Sequence, residues 1–226
     1  LGSQGWAALE RTVAAAHDHG LLVIADGKRG DIAQSAEAYG QALVGRTEGP
    51  FGTVEGLGVD AFTANPMLGR DSLEPLLAAA DAEGAGSFVL FRTSNPGAAE
   101  IQDEPADDPL RNRLAALVAE LGAGRVGSSG LSDVGAVTGA TRPELLADLR
   151  DRMPAAIFLL PGIGAQGGSA EAIGPAFRPH PAAGLVAASR SIVDAHAQSG
   201  GDPALAAAAA AEALRATAWR IAGSAA

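Results

Sequence analysis

Short apolar runs, each ending in polar or glycine-rich residues and followed by a helical pattern, recur along this chain of 226 residues. The apolar residues in these runs are consecutive, which is typical of parallel strands buried on both faces. Strands that alternate with helices predict an α/β fold with a parallel sheet. Six strands are predicted, at residues 21–25, 59–63, 87–91, 134–137, 157–160 and 184–188.

Helical patterns fall between these runs, and three longer connections remain. Asp71 or Ser72 is expected to cap the third helix. The connection 47–58 carries no signal, the acidic segment 98–109 is interpreted as a solvated turn, and the glycine-rich segment 161–181 is typical of a mobile lid. The predicted helices cover residues 6–19, 32–44, 71–82, 110–121, 143–152 and 204–221.

The number of strand–helix units favours a (β/α)8 TIM barrel over the alternative, a flavodoxin-like doubly wound sheet. Polar residues cluster at the carboxyl ends of the predicted strands, where barrel enzymes keep their chemistry. A complete barrel has eight strands, so we expect two further βα units before residue 1, without which two strand edges would be exposed. Residues 1–226 are interpreted as a single barrel domain.

Charge excludes several classes of partner. The formal net charge is −10 and the isoelectric point is about 4.8, whereas a nucleic-acid or anionic-membrane binder needs a basic face.

There are no cysteines, which excludes disulfides and thiolate metal sites. The alanine-rich segment 203–223 is interrupted by Glu212, Arg215 and Arg220, which favours a surface helix over a membrane span. We therefore expect a cytoplasmic protein.

Lys28 is the single lysine beside 15 arginines, and it lies between Asp26 and Asp31. Lysine is a compact, titratable ammonium, whereas arginine stays protonated, so this position indicates a role for a point charge or a movable proton. Asp26 and Lys28 are two residues apart at the predicted end of a strand, and both can point into one cavity. Asp31 would begin the following helix. The alternative is an ordinary surface salt bridge.

Residues 26–32, Asp-Gly-Lys-Arg-Gly-Asp-Ile, resemble the signature of the orotidine 5′-phosphate decarboxylase family, in the subfamily found in mycobacteria and other bacteria (type 2). Five further segments follow in the order of the family's fourth to eighth strands. They are residues 63–69, 92–97, 137–141, 160–168 and 189–192. Together they span most of the chain.

The resemblance implies a TIM barrel that decarboxylates orotidine 5′-phosphate to UMP, the last step of UMP synthesis, without a metal or organic cofactor. It implies that Lys28 protonates C6 of the pyrimidine as the carboxylate departs, and that Asp26 lies beside the substrate carboxylate and holds Lys28. It also implies a homodimer with shared active sites. Asp31 would enter the neighbour's site, with Ile32 and Ser35 beside it.

The resemblance implies three further substrate contacts. Ser94 would bond the pyrimidine ring, Gln166 would bridge ring and phosphate, and Arg190 would bind the phosphate. The alternatives are that Ser94 caps a turn, that Gln166 faces solvent, and that Arg190 forms a salt bridge.

The sequence departs from the family in one respect and leaves two other functions open. Members carry an aspartate on the first strand and a second lysine on the second strand, and this sequence contains neither segment. We expect that the N-terminal part is missing rather than that the molecule is a damaged relative. The alternatives are a magnesium-dependent sugar-phosphate decarboxylase or aldolase of the same superfamily, and a non-catalytic nucleotide-binding or association fragment.

Overall fold

The computed structural model describes residues 2–140, 142–162 and 171–225. It divides into two compact units, Leu1–Leu90 and Phe91–Ala226, which we call the first unit and the second unit. Each is described by itself.

In the first unit, strand β1 pairs in parallel with β4, and β4 pairs in parallel with β5. Strands β2 and β3 form a separate antiparallel hairpin. The elements are α1 (Gly2–Asp18), β1 (Ile24–Arg29), α2 (Ala33–Leu43), β2 (Arg46–Gly49), β3 (Gly52–Glu55), β4 (Ala61–Ala64), α3 (Arg70–Glu83) and β5 (Gly86–Arg92), which continues into the second unit.

Helix α3 shows why the predicted caps are wrong. The N-cap is Gly69 and makes no side-chain capping bond. Ser72 lies one turn inside the helix, fully buried, and its hydroxyl donates back to the Gly69 carbonyl at 2.6 Å. Asp71 lies in the first turn, where the positive end of the helix dipole stabilises its negative charge.

Two other predictions in the first unit are wrong because the residues are exposed. The segment 47–58, read as a plain connection, forms the β2–β3 hairpin, and every residue of both strands is exposed. The first strand begins at Ile24 rather than at Leu21, since Leu21 and Leu22 are exposed at 61% and 82%. Hydrophobic patterning predicts burial, and neither segment is buried here.

A histidine–aspartate contact joins α1 to Asp60, the residue before β4. His17 Nε2 lies 2.9 Å from Asp60 Oδ2, which also accepts a hydrogen bond from the Val23 amide at 2.7 Å. The Val23 amide lowers the pKa of Asp60 below its ordinary value, and His17 adds in the same direction. No local sequence pattern indicates this contact of His17, because its partner is 43 residues away.

In the second unit, strands β6, β7 and β8 are parallel neighbours. Its strands and α-helices are α4 (Ala99–Gln102), α5 (Leu110–Gly122), β6 (Val134–Thr138), α6 (Leu146–Arg152), β7 (Phe158–Pro161), β8 (Gly184–Ala187), α7 (Arg190–Val193), α8 (His196–Ser199) and α9 (Pro203–Ala225). Short 3-10 helices cover Pro96–Ala98, Ala123–Arg125, Pro143–Leu145, Glu171–Phe177 and Pro181–Ala183.

The predicted strands of the second unit agree with the structure to within about one residue. All five residues of β6 are buried, and Phe158 and Leu160 of β7 are fully buried, as consecutive apolar runs require. Within the described residues, six parallel strands alternate with helices, which confirms the predicted α/β class. No helix of the described chain is both long and apolar enough to cross a bilayer.

Candidate active site

Strand β1 is irregular where the sequence predicted its chemistry. β1 and β4 keep register as far as Ala25 opposite Phe62 and regain it at Arg29 opposite Ala64. Four steps along β1 therefore match two along β4, and residues 26–28 bulge from the ladder. Bulges of this kind re-aim side chains and occur beside active sites. The sequence predicted Asp26 and Lys28 at the end of a strand that stops at residue 25. In the structure both residues lie within β1.

The bulge holds an ion pair. Lys28 Nζ lies 2.5 Å from Asp26 Oδ2, and the two side chains are 48% and 60% exposed. The other carboxylate oxygen, Asp26 Oδ1, accepts a hydrogen bond from Thr63 Oγ1 at 3.0 Å. The same hydroxyl accepts from the Lys28 amide at 2.8 Å. The accessible Lys28 ammonium is thus paired with the Asp26 carboxylate, and the hydroxyl of buried Thr63 holds that carboxylate in place.

The turn after Lys28 depends on a glycine. The Asn65 amide donates to the Arg29 carbonyl at 2.7 Å, and this bond brings the two chains together. A Cβ on Gly30 would lie 2.7 Å from the Asn65 carbonyl oxygen, closer than real Cβ contacts allow. Position 30, directly after β1, therefore accommodates only glycine.

Asp31 does not flank Lys28 within one chain. Its Oδ1 accepts from the Ile32 amide at 2.8 Å, and among the described residues it forms no ion pair with Lys28. In the sequence Lys28 lies between two carboxylates, Asp26 and Asp31. Because the chain turns at Gly30, only Asp26 pairs with Lys28 among the described residues of one chain. Ile32 is 58% exposed at the start of α2, and Ser35 is exposed one turn later.

The segment after β5 in the second unit carries Ser94. Buried Arg92 pairs with Asp103 through two hydrogen bonds of 3.1 and 3.0 Å, and it also donates to the Thr93 carbonyl. The Thr93 amide donates to Gln102 Oε1 at 2.9 Å. Both backbone groups of Thr93 are thus held, while within the described part of the chain the Ser94 side chain has no hydrogen-bond partner. Ser94 is half-buried and available to a ligand.

Asp103 shows that the acidic segment 98–109 is not simply solvated. Besides Arg92, it contacts Arg111 at 2.6 Å and Arg142 at 3.6 Å, and its side chain is 18% exposed. Burial alone would raise the pKa of Asp103, but the hydrogen bonds from Arg92 and Arg111 hold it below its ordinary value. The arginines lie far apart in sequence, so no local pattern could have revealed this cluster.

Arg190 begins α7, three residues after β8 ends, and is exposed. It lines a groove of about 630 Å³ together with Asp194 and Gln198. Gln166 falls in the segment 163–170, outside the described residues. The structure therefore brings Asp26 and Lys28 together in the first unit, and places Ser94 and Arg190 in the second.

Within residues 2–140, 142–162 and 171–225, no three histidine, aspartate or glutamate side chains converge to hold a metal ion. The site that the described side chains form is therefore one of a fixed ion pair and hydrogen-bonding groups.

Comparison with known proteins gives consistent results. The profile described as "Orotidine 5'-phosphate decarboxylase / HUMPS family" matches residues 2–209. The orotidine 5′-phosphate decarboxylase of Rhodopirellula baltica is 45% identical over 200 residues, which cover 87% of this chain and 64% of that protein. The Deinococcus radiodurans enzyme of the same name is 42% identical over 192 residues, covering 85% and 66%.

A solved structure agrees as well. The OMP decarboxylase of Leishmania donovani superposes with a TM-score of 0.70 at 33% identity, covering 96% of this chain and 76% of that one. The predicted TIM-barrel type of α/β fold is thereby confirmed. The chain spans just under two thirds of the length of the two curated relatives. Because the family profile matches nearly the whole chain, the protein belongs to the orotidine 5′-phosphate decarboxylase / HUMPS family.

Proposed function

We propose that this protein decarboxylates orotidine 5′-phosphate to UMP. The observation that carries the proposal is the Asp26–Lys28 ion pair, held at 2.5 Å in the bulge of β1. Curated relatives at 42–45% identity bear the name of this activity. A fixed carboxylate beside a fixed ammonium suits a reaction in which a substrate carboxylate leaves as CO2 and a proton takes its place.

The proposed step needs no electron sink outside the substrate. Asp26 lies beside the substrate carboxylate, and the repulsion between the two anions is relieved when CO2 leaves. The bond from C6 to the carboxylate breaks, and its electron pair stays on C6. Lys28 stabilises this developing carbanion and transfers one ammonium proton to it. The neutral amine then regains a proton from water, to which Lys28 is half exposed.

The remaining contacts would bind the nucleotide. Ser94 would hydrogen-bond the pyrimidine, supported by the held backbone of the preceding residue, Thr93, and by the Ser94 hydroxyl, which has no partner among the described residues. Arg190 would bind the phosphate, supported by its exposed position after β8. Gln166, which stays a prediction from sequence, would bridge ring and phosphate.

The test is to assay the purified chain for conversion of orotidine 5′-phosphate to UMP, with the Rhodopirellula baltica relative as positive control. We expect turnover that EDTA does not change, because the proposed step uses only the Asp26 carboxylate and the Lys28 ammonium. Loss of turnover with EDTA would favour the magnesium-dependent sugar-phosphate alternative. Binding of UMP without turnover would favour a non-catalytic nucleotide-binding module.

We also propose a homodimer whose two subunits share each active site. Asp31, exposed Ile32 and exposed Ser35 lie at the start of α2, and within the described residues none of them forms a hydrogen bond or ion pair with Lys28 of the same chain. A surface that offers a carboxylate and an exposed apolar side chain suits a two-fold partner.

Subunit mixing tests this sharing. The variants Lys28→Ala and Asp31→Asn are each expected to be nearly inactive. If each site takes Lys28 from one subunit and Asp31 from the other, a mixture forms hybrid dimers with one intact site, and activity recovers to about a quarter of the parent value. A mixture of Lys28→Ala with Lys28→Arg is the control and should stay inactive. No recovery in the first mixture contradicts the shared site.

Three finer assignments complete the proposal. We infer that the chain is of the mycobacterial type, that residues 1–226 act as one barrel domain, and that the protein works in the cytoplasm. The six ordered sequence segments support the first, and the alternation of strands and helices supports the second. A charged nucleotide substrate, which a bilayer excludes, supports the third.

A further inference from the structure

Thr63 on β4 touches both halves of the ion pair on β1. Its side chain is fully buried, and Oγ1 lies 2.8 Å from the Lys28 amide nitrogen and 3.0 Å from Asp26 Oδ1. An amide N–H can only donate, so Oγ1 accepts from Lys28. The single hydroxyl hydrogen is therefore directed to Asp26.

These two bonds hold the Asp26 carboxylate and the Lys28 backbone in position. Asp26 is held at both oxygens, by Thr63 at one and by the Lys28 ammonium at the other. Lys28 has a φ of +50°, a left-handed conformation that is unfavourable for a residue with a side chain and persists only where surrounding contacts impose it. The bond from the Lys28 amide to Thr63 is such a contact.

We propose that Thr63 is a positioning residue: its hydroxyl sets where the Asp26–Lys28 pair presents its proton. The catalytic half of this assignment rests on the decarboxylase function proposed above. Proton delivery depends on placing the donor atom accurately against the reacting carbon, and a displacement of about 1 Å can cost roughly 100-fold in rate. In the sequence, Thr63 reads only as a β-branched strand residue.

The test compares Thr63→Val with Thr63→Ser. Valine keeps the shape and removes the hydroxyl, so kcat is expected to fall roughly 10- to 100-fold, with KM little changed because no substrate-binding group is altered. Serine keeps the hydroxyl and should restore kcat close to the parent value. The matched control is Ser87→Ala on neighbouring β5, because the buried Ser87 hydroxyl has no partner within the described residues. It should leave kcat and KM unchanged.

Several outcomes would overturn the proposal. They are a parental kcat in Thr63→Val, an equal loss in Thr63→Ser, and a loss that appears only in KM. If the parent chain shows no turnover, the proposed function fails, and amide hydrogen exchange then decides about Thr63 by itself. Faster exchange of the Lys28 amide in the valine variant than in the serine variant supports the positioning role, whereas equal rates overturn it.

Discussion

Replacing Lys28 with alanine is expected to lower kcat for decarboxylation by about 10²- to 10⁴-fold, the usual contribution of a positioned general acid. The variant lacks both the proton and the charge that stabilises the carbanion. Lys28→Arg should fail almost as completely, because a guanidinium does not release its proton near neutral pH. Its planar fork would instead pair with the Asp26 carboxylate, whose Oδ2 lies 2.5 Å from the present ammonium.

Steady-state turnover of orotidine 5′-phosphate measures this effect. Arg29→Gln is the matched control, since it removes a cation from the next residue of β1, whose guanidinium lies over the Tyr39 ring at 5.7 Å. The control should keep its turnover, and all three variants should unfold at similar urea concentrations, because both side chains are exposed. Full activity in Lys28→Arg would contradict the role of proton donor.

Burial explains which elements the sequence could predict. Strands β6 and β7 were placed to within about one residue because the side chains of β6 are buried on both faces and those of β7 are buried or half-buried. The β2–β3 hairpin was missed because its residues are exposed and leave no hydrophobic pattern. The start of β1 was misplaced by three residues because the apolar run that predicts it begins with exposed Leu21 and Leu22.

The candidate site shows a similar division between local and distant contacts. Asp26 and Lys28 are two residues apart, so their proximity could be read from the chain. Thr63 lies 35 residues from Lys28, and the bulge that joins them depends on register between two strands, which one strand's sequence does not encode. Asp31 is three residues from Lys28 in sequence, but it forms no ion pair with Lys28 of its own chain among the described residues.

Arg150 on α6 is a buried cation that the sequence showed only as part of a helix. It is 3% exposed, lies 3.8 Å over the Phe158 ring, and donates to the carbonyls of Ala156, Ala176 and Ala183 at 2.7, 2.7 and 3.1 Å. Burial lowers its pKa to about 10, and a neighbouring arginine adds to this, so it remains charged at neutral pH. Arg150 thus joins α6 to the segments before β7 and β8.

Replacing Arg150 with methionine is expected to destabilise the protein by about 3–5 kcal/mol, because several buried carbonyls lose their donor at about 1–3 kcal/mol each. Arg150→Lys should recover only part of this, since a single ammonium cannot reach the carbonyls on both sides of the fork. The control is Arg152→Met on the same helix, whose exposed pair with Asp148 at 2.8 Å is worth about 0.3–0.5 kcal/mol. Urea unfolding midpoints measure both changes. Equal midpoints for the two methionine variants would show that the carbonyls find other donors, and that α6 does not depend on Arg150 to hold these segments.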